Sequence, residues 1–78
     1  MIDTKLIDDV FENEQYIKNS PHNVKYFMNL NLKEIDADLK AFEYALEQDK
    51  NKKLSFLEGM IEERKLYKEK VLKILEKL

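Results

Sequence analysis

The residue types that could support catalysis are few and widely separated in the sequence. His22 is the only histidine, and there is no cysteine. A lone histidine near the start of a helix could act as a general base or a metal ligand, but no second histidine, thiol or glycine-rich loop accompanies it. The sequence therefore predicts a protein that is not an enzyme and that uses no metal ion or other cofactor.

Carboxylate pairs are the other groups whose spacing could serve chemistry. Glu34 and Asp38 lie one helical turn apart, and so do Glu58 and Glu62. Two carboxylates at this spacing could share a metal ion, but such pairs are also common on solvated helix faces. The solvated face is the favoured interpretation of both pairs.

Charge is distributed unevenly along the chain, whose net charge is −2. Residues 1–49 hold eleven acids and five bases, whereas residues 50–78 hold nine bases and five acids. This pattern favours acidic helices packed beside a basic one. A nucleic-acid-binding surface on the last helix is an alternative function, although glutamates interrupt the basic face and make it unlikely. The lysines of that surface are Lys65, Lys68, Lys70, Lys73 and Lys77.

The elements that would position these groups are helices. Hydrophobic residues make up 44% of the chain and charged residues 38%, with one glycine and one proline, which is typical of a helical bundle. Ser20 followed by Pro21 separates a first helix over residues 3–18 from a second over residues 21–48. A third helix is predicted over residues 53–78.

Residues 49–53 leave two alternatives open, a turn or one continuous helix. The apolar residues change phase across this charged stretch, and the change favours the turn. The 78 residues then form one domain, 1–78.

The predicted central helix carries two apolar rows about 155° apart on a helical projection. Residues of the first row face the last helix in an antiparallel hairpin, because the numbers of facing residues add up to 102 or 103 throughout. Arg64 interrupts this contact opposite Leu39. We expect its guanidinium to reach Asp36, Asp38 or Glu43. The first row is Met28, Leu32, Ile35, Leu39, Phe42 and Leu46.

The second row predicts another packing partner on the opposite side of the central helix. The first helix is the available partner, and its length places Val10 near Leu30 and Ile2 near Ala37. The second row is Phe27, Leu30, Ala37, Ala41 and Tyr44. The predicted fold is thus an all-α, three-helix up-down-up bundle in which a short first helix packs on a long antiparallel hairpin.

The first helix is too short to cover the far end of the hairpin. Apolar residues left without a partner there suit a protein contact, for which an exposed tyrosine beside small residues is well adapted. The preferred function is therefore a small interaction module or regulator that binds another protein or a second copy of itself. Its candidate interface is Ala41, Tyr44, Ala45, Phe56 and Ile61.

A third functional hypothesis starts from the acidic first helix. Its carboxylates could occupy the basic groove of a host protein, as an inhibitor from a phage or mobile element would do. Lysine and asparagine are abundant, which fits a bacterial or phage source. The sequence shows neither a membrane-spanning run nor a signal peptide, so a cytoplasmic location is predicted. The acidic residues concerned are Asp8, Asp9, Glu12 and Glu14.

Overall fold

The computed structural model describes residues 2–48 and 55–78, and all of the regular structure in these residues is α-helical. The molecule is elongated, measuring 49 × 18 × 18 Å. The turn predicted at residues 49–53 lies outside the described residues. The helices are α1 (Thr4–Glu12), α2 (Gln15–Asn19), α3 (Pro21–Gln48) and α4 (Ser55–Glu76).

The first predicted helix, over residues 3–18, is divided into two. Asp3 caps α1, since its Oδ1 accepts a hydrogen bond of 3.0 Å from the Leu6 N–H. Asn13 then takes an extended backbone conformation, and its Oδ1 accepts a 3.0 Å bond from the Gln15 N–H. This local turn competes with continuation of the helix. The chain therefore changes direction at Asn13 before α2 begins.

Helices α3 and α4 lie side by side and antiparallel. The Ser20 carbonyl accepts the Val24 N–H at 3.0 Å, as an N-cap residue does, and α3 begins at Pro21. Lys68 pairs with Asp36 at 2.8 Å near the middle of the two helices.

Arg64 pairs with one of the three carboxylates predicted for it. Its Nε lies 3.1 Å from Asp38 Oδ2. The residue numbers 64 and 38 add up to 102, which is one of the sums predicted for facing residues of the hairpin. Its guanidinium also lies 5.8 Å from the centre of the Phe42 ring, where a cation is attracted by the ring face. The expectation for Arg64 is thereby confirmed.

The hydrophobic core is concentrated where α1, α3 and α4 meet. Ile7, Met28, Ile35 and Val71 are fully enclosed there, with no exposed surface. Leu57 is also buried, at 7% exposed, but lies apart from this cluster. We call residues 2–35 and 65–78 the proximal half. The remaining described residues, 36–48 and 55–64, form the distal half. The core cluster is Ile2, Ile7, Val10, Val24, Met28, Ile35, Leu39, Ile61, Val71 and Ile74.

The position of α1 differs from the prediction. It packs mainly against α4, and α2 packs against α3. The Asp3 N–H donates to Asn31 Oδ1 at 2.8 Å, so the numbers of residues that face each other between α1 and α3 add up to 34. The predicted proximities of Val10 to Leu30 and Ile2 to Ala37 are wrong by about six residues, or about 9 Å along α3.

The physical reason for this shift is the division of the first helix. The chain reverses its direction through α2. The midpoint of the facing pair Asp3 and Asn31 is residue 17, so the reversal is centred on Ile17, whereas the prediction centred it on Ser20. Packing between α3 and α4 also lets α1 bury its apolar stripe against two helices at once.

Candidate protein-interaction surface

A cluster of polar side chains connects α1 to α4 through hydrogen bonds. Asp8 Oδ1 accepts a 2.8 Å hydrogen bond from Lys70 Nζ, and Asp8 Oδ2 accepts a 3.1 Å bond from the Tyr67 hydroxyl. The Lys70 ammonium also lies 5.5 Å from the centre of the Phe11 ring and 5.2 Å from that of Tyr67. Part of the acidic charge of the first helix is therefore directed at the basic last helix.

These contacts perturb the protonation equilibria of all three groups. The hydrogen bond from Lys70 holds the pKa of Asp8 below its ordinary value, and the bond from Tyr67 acts in the same direction. The bond to Asp8 raises the pKa of Lys70. Partial burial of the phenol, followed by its bond to Asp8, raises the pKa of Tyr67. Near neutral pH the cluster therefore keeps a carboxylate, an ammonium and a neutral phenol.

Asn31 fastens α1 to α3 from within the core. Its side chain is only 6% exposed. Its Oδ1 accepts from the Asp3 N–H, and its Nδ2 donates to the Phe27 carbonyl, both at 2.8 Å. A buried amide with both ends bonded fixes one register between two helices, because any other register would leave polar atoms unpaired.

Within residues 2–48 and 55–78, no helix packs over the second apolar row of α3, and we call this row the outer face. Phe27 and Leu30, which the first helix was expected to cover, are 45% and 44% exposed. Tyr44 is 65% exposed, and Ala37 and Ala41 are exposed between them. The uncovered face thus extends beyond the distal residues, along about 26 Å of α3.

The outer face has the spacing of a coiled-coil seam. From Phe27 to Tyr44, its residues alternate at intervals of three and four, with Glu34 as the one charged member. Two alanines occupy its centre and bulky residues occupy its ends. Small residues allow the backbone of another helix to come close.

An open cleft lies beside the start of the outer face. It is lined by Leu6 of α1, by Phe27, Leu30 and Asn31 of α3, and at its edge by acidic residues. A second apolar cleft, between α1, α2 and α3, shares Leu6 and Phe27 with it and includes Tyr16. The bulky end of the outer face is therefore indented and could receive a side chain from a partner.

The five predicted interface residues are not brought together. Ala41 and Tyr44 lie on the outer face, and Ala45 is half-buried at its margin. Phe56, on α4, is 61% exposed. It precedes Lys70 by two heptads, and Lys70 contacts Asp8 of α1, so Phe56 lies on the side of α4 that α1 contacts. Ile61 is 8% exposed and belongs to the core cluster, so it is not accessible to a partner.

Two features of this surface were missed by sequence reasoning. The exposed Phe27 and Leu30 were assigned to the contact with the first helix, and no local signal in α3 indicates otherwise. Asn31 does carry a signal, because it stands at a core spacing after Val24 and Met28. A polar residue at such a position often sets helix register.

The groups considered for catalysis remain separate. His22 is exposed in the first turn of α3, and Glu58 and Glu62 are exposed on α4. Asp38 pairs with Arg64. Within residues 2–48 and 55–78, no three histidine or carboxylate side chains come close enough to hold a metal ion.

Comparison of the chain with protein-family models, curated proteins and solved structures finds no match. In the described part of the chain, no helix combines the length and the apolarity that crossing a membrane requires.

Proposed function

We propose that the protein is a non-enzymatic interaction module that binds a helix of a protein partner on the outer face of α3. One observation carries this proposal: from Phe27 to Tyr44, a seam with coiled-coil spacing exposes its apolar residues, interrupted by the half-buried Glu34. Isolated apolar side chains on a surface need no explanation, whereas a contiguous row at helical spacing suits helix-to-helix binding. The proposed scaffold is an up-down-up bundle whose first arm is α1 followed by α2.

The shape of the face supports this function. Ala37 and Ala41 allow close approach of a second helix at the centre. Phe27 and Tyr44 supply rigid aromatic anchors near the two ends, and such anchors dominate the energy of many interfaces. The bonds of Asn31 to the Asp3 N–H and the Phe27 carbonyl hold the scaffold beneath in register, which favours a preorganised face.

The two alternative functions are less well supported by the contacts. Lys68, Lys70 and Lys77 of the proposed nucleic-acid surface form ion pairs with Asp36, Asp8 and Glu14. These pairs partly neutralise the lysines and also occupy two of the carboxylates of the proposed inhibitor surface. A nucleic-acid ligand would reveal itself by an affinity that falls steeply with salt.

Site-specific photo-crosslinking tests the proposal. A photoreactive phenylalanine analogue replaces Tyr44 on the outer face or, as a control, Leu66, a 51% exposed residue of α4. We expect a discrete protein adduct in expressing cells from position 44 and none from position 66. A second change in the same chain, Leu30→Glu, should abolish the adduct, because it puts a charge into the apolar seam.

The possible results separate clearly. An adduct from position 44 that survives Leu30→Glu would contradict binding through the outer face, and equal adducts from both positions would indicate nonspecific contact. The absence of any adduct from position 44 would overturn the proposed function. Circular dichroism of each variant verifies that the helices are intact.

A further inference from the structure

We infer that the occupant of the outer face is a second copy of this chain, with the two α3 helices packed antiparallel around a point near residues 35 and 36. This inference rests on the proposed function and names its partner. It follows from how bulky and small residues are arranged along the face.

A two-fold symmetric dimer requires a surface that is complementary to itself. Reversing α3 about a point between residues 35 and 36 sets Phe27 beside the partner's Tyr44 and Leu30 beside the partner's Ala41. Glu34 then lies beside the partner's Ala37. Bulky residues thus meet either a small residue or another aromatic ring, for which edge-to-face contact is favourable.

The cleft beside Phe27 and Leu30 completes this fit. Tyr44 is the most exposed of the bulky residues of the face, and in this register the partner's Tyr44 arrives at that cleft. Its ring would contact Leu6 and Phe27, and its hydroxyl would reach the polar edge formed by Asp3 and Asn31. Each copy supplies one tyrosine and one cleft, so both ends of the interface are filled.

Parallel pairing is the less favourable arrangement. It would leave the central alanines of one copy facing those of the other without filling either cleft. Antiparallel pairing uses the alanines to accommodate Leu30.

The size of the face sets the expected strength of the dimer. A strip about 26 Å long and about 10–12 Å wide on each copy gives an interface well below about 1,200 Å² in total. Contacts of that size are weak or transient, so we expect dissociation in the micromolar range. Lys33 and Lys40 flank the same side of the face, and antiparallel pairing brings them near each other. Added salt should therefore strengthen the dimer by screening them.

Sedimentation equilibrium over about 5 µM to about 1 mM measures the association directly. The expected result is a monomer–dimer equilibrium whose dissociation constant rises by about tenfold or more in Ala41→Glu. The matched control Leu66→Glu should leave it unchanged. A chain that stays monomeric at the highest concentration, or an equal effect of both variants, would overturn the inference.

Cysteine crosslinking tests the orientation, and the chain contains no native cysteine to interfere. A mixture of Leu30→Cys and Ala41→Cys chains should form a mixed disulfide, since the two positions face each other. Ala41→Cys alone should not crosslink, because its two copies would lie about 16 Å apart along the helix axes. Efficient crosslinking of Ala41→Cys alone would instead establish parallel packing and overturn the antiparallel arrangement.

The photo-crosslinking experiment distinguishes failure of this inference from failure of the proposed function. An adduct from position 44 at the mass of two copies supports both. An adduct with a different protein, together with a monomer in sedimentation, keeps the interaction module and rejects the second copy. The absence of both an adduct and self-association rejects the two together.

Discussion

The proximal and distal halves of the molecule are built from the same two long helices but are stabilised differently. In the proximal half, α1 covers α3 and α4, four core residues are fully enclosed, and two polar anchors fix the register. In the distal half, two helices pack as a hairpin in which Arg64 bridges to Asp38. Their apolar contacts are shallower, with Phe42 and Leu46 only half-buried. The comparison shows that a third helix, rather than the length of the hairpin, creates the tightly packed core.

The largest expected effect comes from truncating the core in each half. Ile7→Ala should lower the free energy of unfolding by about 2–4 kcal/mol, because it removes packed atoms at the centre of the three-helix core. Leu57→Ala in the distal half should cost clearly less, since Leu57 lies apart from the main cluster and its site can relax. Urea denaturation of both variants measures the difference. Equal losses would show that the two halves are stabilised alike.

The buried asparagine provides the next test. Asn31→Ala should destabilise the protein by about 1–3 kcal/mol, because the Asp3 N–H loses its acceptor within a partly buried contact. The loss should appear first as faster amide exchange in α1, with α3 and α4 little changed. Asn29→Ala, at an exposed position of the same helix, should stay within about 0.5 kcal/mol of the native protein. An unchanged exchange rate in α1 would show that the amide does not hold α1 in place.

A change in the distal half should act in the opposite direction. Gly59 lies inside α4, and a Cβ placed there meets nothing within 4 Å. Gly59→Ala should therefore raise the free energy of unfolding by about 0.5–1 kcal/mol through the better helix propensity of alanine. Ala37→Gly, at an exposed position of α3, should lower it by a similar amount. Destabilisation by Gly59→Ala would reveal a close contact that the structure does not contain.

The smallest effect concerns the pH dependence of the α1–α4 anchor. The pKa of Asp8 is lowered in the native state. Its contribution to the free energy of unfolding is therefore complete above its pKa in the unfolded chain, about 3.9, and is lost as the pH falls through the native pKa. The melting temperatures of the native protein and Asp8→Asn should therefore differ near pH 7 and converge in acid.

The neighbouring exposed carboxylate supplies the control for that experiment. Asp9→Asn should follow the native curve more closely than Asp8→Asn near pH 7. In base, the raised pKa values of Tyr67 and Lys70 mean that their contribution is complete below about pH 10 and is lost as the pH rises further. A constant gap between the native protein and Asp8→Asn down to pH 2 would mean that the ion pair is not what separates them.

Long-range periodicity predicted a large part of this structure. The all-α class follows from composition, and the start of α3 follows from Ser20 and Pro21, which have strong local preferences. The match between apolar rows placed Arg64 opposite Leu39, within reach of three carboxylates of which Asp38 is the one it pairs with, because a repeated spacing over many turns leaves little freedom in register. On the candidate site, Ala41 and Tyr44, which the predicted first helix was too short to cover, are exposed, whereas Phe27 and Leu30 of the same row were expected to be covered and are exposed too.

The features of the fold that the apolar periodicity did not predict depend on single polar contacts. One asparagine turn divides the first helix at Asn13 and displaces α1 along α3. One buried amide then fixes α1 in its new register, beside Phe27 and Leu30 but not over them. Each contact involves one or two hydrogen bonds and leaves the apolar pattern unchanged, so an analysis of apolar rows alone does not detect it.

The hydrogen bond between Tyr67 and Asp8 also has an optical consequence. The chain contains four tyrosines and no tryptophan, and Tyr16, Tyr26 and Tyr44 are largely exposed to solvent. Within the described part of the chain, Tyr67 is the one tyrosine that donates its hydroxyl to a carboxylate on another helix. We therefore expect the near-ultraviolet absorption and emission of this one phenol to differ from those of the other three. The protein would then carry an intrinsic chromophore whose signal follows the docking of α1, with no label needed.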